Sequence, residues 1–287
     1  MAGTQQRNHP TFVESKAMKH FINLLLVACL IVSGQPVTAQ AAKAWYCMPC
    51  NSACDSIQFS QAGKCAHCEM ALVEQTAAEH QRTMTNTKTR IAFYLQNGVE
   101  VLDFAGPMEV FSYAQFEVFT VSKTKDPITS QGILKILPDY SIDDAPPADI
   151  IAFFGGNAGV ASSDPKVIAW LKRQPVPDYY FSVCTGAFIL GKAGILDNLT
   201  ITTFHESIDN LKKAVPTAKV LSNVRFVDNG KVITTAGISA GIDGALHLVA
   251  KMRGEQTARN VATYMEYDKW VPGQGLVLKR AASTAKQ

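Results

Sequence analysis

Tyr179-Tyr180-Phe181-Ser182-Val183-Cys184-Thr185-Gly186-Ala187 carries an apolar, strand-forming run into a turn of small residues, and Phe188-Ile189-Leu190 then open a helical pattern. A side chain at so sharp a strand-to-helix turn is held above the carboxyl edge of a sheet, facing the positive end of a helix. The thiolate is the nucleophilic form of cysteine, and helix N-termini lower thiol pKa from ~8.5 to roughly 3.5–7.5. Cys184 is therefore expected to be a reactive, ionised thiol, with a buried core cysteine as the alternative.

On either side of this elbow the chain alternates apolar strands with amphipathic helices. Strands are expected at 90–95, 116–121, 150–154 and 180–183, with a further extended piece at 199–204. Helices are expected from Pro107 through Ala114, over 167–171 behind Asp164-Pro165, over 207–215, and from Ser239 to about Tyr267 with a break near Gly254. Asp228-Asn229-Gly230 between two β-rich runs signals a hairpin with a type I′ turn. The pattern implies an α/β domain over 90–268 whose mainly parallel sheet is sandwiched by helices. Residues 74–89 are polar and read as a linker, and 269–287 as a loose tail.

With 287 residues, 47% hydrophobic and 18% charged, the chain can bury a large core. A net charge of +3 is too weak to imply nucleic acid, no Lys/Arg cluster stands out, and no nucleic-acid partner is expected. Lys19-His20, the apolar run 21–32 and the small residues at Val37-Thr38-Ala39 form a secretory leader over 1–39, with Ala41 as second cleavage choice and Met18 as alternative start. The run is shorter than the about 20 residues a membrane helix needs, so the membrane is met only through this leader. Export, to a bacterial periplasm, is the expected localisation. Leu26-Val27-Ala28-Cys29 offers a lipoprotein alternative through Cys29.

A cysteine-dense module spans 45–73. Cys47-Met48-Pro49-Cys50 and Cys65-Ala66-His67-Cys68 are two Cys-x2-Cys pairs separated by fourteen residues, a zinc-ribbon-like spacing that offers four thiolates to a tetrahedral ion. Disulfide pairing is the alternative in an exported protein. Cys54 is a fifth thiol, a spare ligand or a redox site, and His67 is expected to face solvent. Trp45-Tyr46-Cys47-Met48-Pro49-Cys50 with Gly63-Lys64-Cys65-Ala66-His67-Cys68-Glu69-Met70-Ala71-Leu72-Val73 resembles the small heavy-metal-binding domain attached to bacterial metal-efflux and periplasmic proteins. The chain departs from that pattern in Cys50, His67 and Glu69, which replace the family's histidine, inter-cysteine residue and glycine. The resemblance implies zinc or another soft heavy-metal ion here; no cofactor is expected in the α/β domain.

Four segments of the larger domain are similar, in order, to the ThiJ/PfpI superfamily: Gly98 through Phe111, Ile150 through Gly156, Val183 through Ala187, and Thr235 through Asp243. The nearest branch holds isonitrile hydratases and the amidase-like sensor domains of AraC-type regulators. The resemblance implies a flavodoxin-like fold of the class I glutamine amidotransferase type. It places the reactive residue at Cys184 and an acidic partner at Asp103, for which a helix N-cap is the alternative. Backbone amides around Gly155, Gly156 and Thr185 would hold a developing anion. Thr185 stands where peptidase-type relatives carry histidine, which argues against proteolysis. His205 is shifted by one from the histidine of the isonitrile-hydratase pattern, and one step along a strand turns a side chain to the other face. Gly237-Ile238-Ser239-Ala240-Gly241 matches a serine elbow, but only Asp243 and His247 follow it, so a serine nucleophile is not expected. Two functions follow as expectations: an exported cysteine-dependent enzyme acting on a small electrophilic molecule such as an isonitrile or reactive carbonyl, or a non-enzymatic sensor using the same pocket. Relatives of this fold often dimerise, and a homodimer is an open expectation.

Overall fold

The computed structural model describes residues 42–47, 53–67, 69–85 and 89–278. The expected leader, Cys29, Cys50, Cys68 and residues 279–287 lie outside the described residues. Strand β1 (Lys43–Tyr46) runs antiparallel between β2 (Gln58–Phe59) and β3 (Val73–Thr76), and helix α1 (Ala77–Thr85) follows. The stretch expected as a linker thus carries a strand and a helix. Its start is a capping box: Thr76 N donates to Glu79 Oε2 at 2.7 Å and Glu79 N to Thr76 Oγ1 at 3.2 Å, which satisfies amides that a helix start leaves orphaned. His80 of α1 stacks on Tyr46 at 4.1 Å and its Nε2 lies 2.7 Å from the Asp55 carbonyl oxygen. These contacts tie the helix to the cysteine module.

The α/β domain then runs β4 (Arg90–Tyr94), α2 (Val101–Tyr113), β5 (Glu117–Ser122), a hairpin of β6 (Ile128–Thr129) and β7 (Lys135–Ile136), β8 (Tyr140–Ser141), β9 (Ile150–Phe153), α3 (Ala158–Ser163), α4 (Pro165–Arg173) and β10 (Tyr179–Val183). After the elbow come α5 (Ala187–Lys192), β11 (Thr200–Ile201), α6 (Ile208–Ala214), β12 (Lys219–Val220), β13 (Phe226–Asp228), β14 (Val232–Thr235), α7 (Ala240–Arg253), α8 (Glu255–Tyr264) and β15 (Leu276–Val277). Among the described residues, eight strands form the main sheet in the order β15-β13-β14-β10-β9-β4-β5-β8, parallel except where β13 meets β14. Along β4, Ile91 and Phe93 enter one core with Phe111, Leu246 and Val249, while Ala92 and Tyr94 enter a second with Trp170, Ile189 and Leu211. Burial on both faces explains why the central strands are uniformly apolar rather than alternating.

Three further sequence expectations change. Helix α2 begins at Val101, six residues before Pro107, so the proline sits inside the helix rather than at its first turn. The Asp228-Asn229-Gly230 signal does give a hairpin, but only Gly230 of these has positive φ (+85°). Asn229 N donates to Val232 O at 2.9 Å, which makes Gly230 the first central residue, as in a type II′ turn rather than type I′. The expected loose tail contributes β15, which pairs Leu276 with Val227. The break between α7 and α8 does fall at Gly254, whose φ is +89°.

Candidate active site and thiol cluster

β10 lies between β9 and β14, so Val183 delivers the chain to the carboxyl edge in the middle of the sheet. The backbone reverses there. Cys184 has φ +57°, a left-handed conformation that costs a non-glycine residue roughly 1–2 kcal/mol. Gly186 permits the turn, because a Cβ there would stand 2.6 Å from the Phe153 carbonyl carbon and 2.8 Å from Phe154 N. Cys184 N donates to Ala236 O at 3.2 Å, and Thr203 Oγ1 donates to Cys184 O at 2.7 Å. A single turn of 3-10 helix (Cys184–Gly186) and the short α5 follow.

Asp103 meets this sulfur from the first turn of α2. Its carboxyl is fully buried; Oδ2 accepts from Gly155 N at 2.8 Å and Oδ1 from Ile238 N at 3.0 Å. It is not the helix cap, a position taken by Glu100. A Cβ on Gly155 would lie 2.6 Å from Asp103 Oδ2 and 2.7 Å from Cys184 Sγ, so the bare glycine is what lets carboxyl and sulfur come together. Burial, reinforced by Glu100, pushes Asp103 up to about 6 against the lowering effect of the Gly155 and Ile238 amides and of Cys184. Burial first, then the negative Asp103, push the Cys184 thiol up to about 12, and the Thr185 amide and hydroxyl only partly offset this. The expectation of a helix-lowered, ionised thiol is therefore overturned. Cys184 is 6% exposed, and a one-turn start to a six-residue helix supplies too little dipole to outweigh burial beside a carboxylate. At neutral pH the pair rests as a thiol hydrogen-bonded to a carboxylate that is poised to take its proton.

The other expected residues divide. Gly155 N–H is committed to Asp103 and is not free to hold an anion. Thr185 remains suited to that role through its amide, which faces the sulfur, while its hydroxyl donates to Gly156 O at 3.3 Å. Gly156, at φ +79°, forms a bridge with Val99, and a Cβ there would strike the Gly98 carbonyl oxygen. His205 is an exposed bystander 3.7 Å from the Glu206 carboxylate; the buried residue behind the elbow is Thr203. Asp243 is held by Arg225 Nε at 2.6 Å and Tyr267 Oη at 3.0 Å, and His247 by Asp228 at 2.8 Å, which leaves Ser239 without an acid–base partner from either. Sequence reading missed Ile238 and Gln96. Ile238 has φ +59°, and its amide holds Asp103. Gln96, 4% exposed, donates from Nε2 to Phe154 O and Gly155 O, each at 3.1 Å.

In the N-terminal module Cys47, Cys54 and Cys65 are buried, and their sulfurs lie within 4.8 Å of one another. The Cys47 and Cys54 sulfurs lie 3.9 Å apart, and the cluster could hold a metal ion. Three soft donors in a dry pocket suit a soft ion, and His67 N, directed at Cys65 Sγ at 3.5 Å, would help neutralise thiolate charge. Cys54, expected as a spare, is a full member of the cluster; Cys50 and Cys68 lie outside the described residues. His67 faces solvent.

A model of the DJ-1/PfpI family matches residues 89–251. The isonitrile hydratase of Pseudomonas putida is 34% identical over 184 residues, covering 62% of this chain and 78% of that protein. The HTH-type transcriptional regulator CdhR of Pseudomonas aeruginosa is 25% identical over 177 residues, 59% of this chain and 52% of the regulator. The chain thus spans about half the length of that regulator. Among solved structures, a ThiJ/PfpI family protein from Pseudomonas syringae superposes with TM-score 0.59 at 30% identity, over 64% of this chain and 77% of that one.

Proposed function

This chain belongs to the DJ-1/PfpI family, and from that premise we propose that it is a cysteine-dependent enzyme that adds water to a small electrophilic carbon of the isonitrile type. The observation that carries this reading is the Asp103–Cys184 pair, joined at Gly155 on a strained elbow. Cys184 Sγ attacks the terminal isonitrile carbon while Asp103 takes the thiol proton and passes it on to the substrate, giving an S-linked thioimidate. Water then adds to the C=N carbon with Asp103 as general base. The C–S bond breaks, the sulfur regains its proton, and an N-substituted formamide leaves. Thr185 N–H stabilises charge on the sulfur as that bond forms and breaks. The 34% identity to an isonitrile hydratase supports the substrate class, and the burial of Cys184 supports a small substrate.

The test is formamide production from small alkyl isonitriles, with reactive carbonyls as a second panel. Cys184→Ser is expected to abolish turnover and Asp103→Asn to lower it by roughly 10²–10⁴-fold. Tight ligand retention without turnover of either panel would replace this reading with a sensor. The match to a transcriptional regulator and the protonated, nearly closed thiol support that second reading. We also read residues 1–39 as an export leader and the thiol cluster as a site for zinc or another soft ion. Fractionation with N-terminal sequencing tests the first, and metal analysis of wild type against Cys54→Ser tests the second.

A further inference from the structure

Of the three peptide groups that meet the reacting pair, two are gripped from behind by a buried polar side chain. The Phe154–Gly155 peptide donates its N–H to Asp103 Oδ2 at 2.8 Å, and its carbonyl oxygen accepts from Gln96 Nε2 at 3.1 Å. The Cys184–Thr185 peptide directs its N–H at Cys184 Sγ, and its carbonyl oxygen accepts from Thr203 Oγ1 at 2.7 Å. Gln96 is 4% exposed and Thr203 is fully buried, and neither side chain donates to the carboxyl or the sulfur directly. A hydrogen bond to an amide oxygen fixes the peptide plane and polarises its N–H, so the bonds strengthen one another along the chain. We propose that Gln96 and Thr203 are positioning residues, each acting through one peptide unit, Gln96 on the Asp103 carboxyl and Thr203 on the Cys184 sulfur. The proposal rests on the reading that this sulfur is the reacting atom, and it goes beyond that reading in naming what orients the pair.

Uncharged donors surround the two groups: the amides of Gly155, Ile238 and Thr185, and the Thr185 hydroxyl. Glu100 is the further carboxylate acting on Asp103. The test is the iodoacetamide alkylation rate of Cys184 against pH in the full chain, measured with the other six cysteines changed to serine in every sample. Gln96→Met is expected to move the midpoint of the profile upward by about half a pH unit, because a weaker Gly155 donor makes Asp103 ionise later. Thr203→Val is expected to leave the midpoint in place and lower the plateau rate about three- to tenfold, with Thr203→Ser restoring it. Wild-type midpoint and plateau in both variants, with only the melting temperature lowered, would overturn the proposal. Should Thr203→Val fail to fold, the Gln96→Met midpoint decides. Alkylation needs no turnover, so a chain without hydratase activity still returns an answer about the two peptides.

Discussion

A methyl group on Gly155 would stand 2.6 Å from Asp103 Oδ2 and 2.7 Å from Cys184 Sγ, so a Gly155→Ala chain must push the two groups apart. Steady-state assays of that variant are expected to show at least about 100-fold lower kcat/KM, since small misplacements of reacting groups are that expensive. Thermal melts should show a loss of about 1–3 kcal/mol from overpacking. The same pair sets the pH response. Asp103 can accept the thiol proton only when ionised, so the alkylation rate of Cys184 should rise as pH passes about 6 and then level off, because the thiol itself stays protonated up to about 12. Asp103→Asn should lack the step near 6. A rate that keeps climbing tenfold per pH unit through 8 in the wild type would instead mark an unassisted thiol.

Glu69 shows how an element can be read from one residue's backbone. It occupies φ +58° in the knuckle after Cys65, where its amide donates to Cys65 O at 2.8 Å, and it stands where the resembling metal-binding family carries glycine. Glu69→Gly should relieve the left-handed strain and stabilise the module by about 1 kcal/mol, seen as a higher denaturation midpoint for Trp45 fluorescence. The larger elements were legible because their signals are periodic: the buried strands β4, β9 and β10 announce themselves as apolar runs, and Gly254 marks the break between α7 and α8. Elements fixed by side-chain reciprocity were not seen. The Thr76-x-x-Glu79 box was present in the sequence, but the polar composition around it suggested a linker. Pro107 suggested a helix start, whereas the turn that precedes it is what carries Asp103. Cys184 and Asp103 could be named from motifs. Gln96, Thr203 and Ile238 could not, because their roles depend on which peptide they face across 19 to 135 residues of chain.

At the scale of the molecule, Asp228 fastens the antiparallel edge of the sheet to α7. It is buried against His247 Nε2 at 2.8 Å and Lys251 Nζ at 2.8 Å. Burial alone would raise its carboxyl, but the hydrogen bonds from His247, Lys251 and the Gly230 amide outweigh it and hold Asp228 at about 2. A depressed folded-state pKa means stability that is complete above the unfolded value near 4 and is lost as pH falls toward 2. Acid melts should show that decline, and Asp228→Asn, weaker at neutral pH, should be flatter across the same window. The main sheet also ends on two-residue strands at both sides, β8 and β15. Such stubs offer almost no length for another chain to add to, which is how soluble sheets avoid templating aggregates. Removing residues 271–287 would touch neither Cys184 nor Asp103, yet it would strip β15 from β13, whose three residues are otherwise buried. The shortened protein should form monomer that alkylates normally when fresh and then clumps on standing, a time course that light scattering would follow.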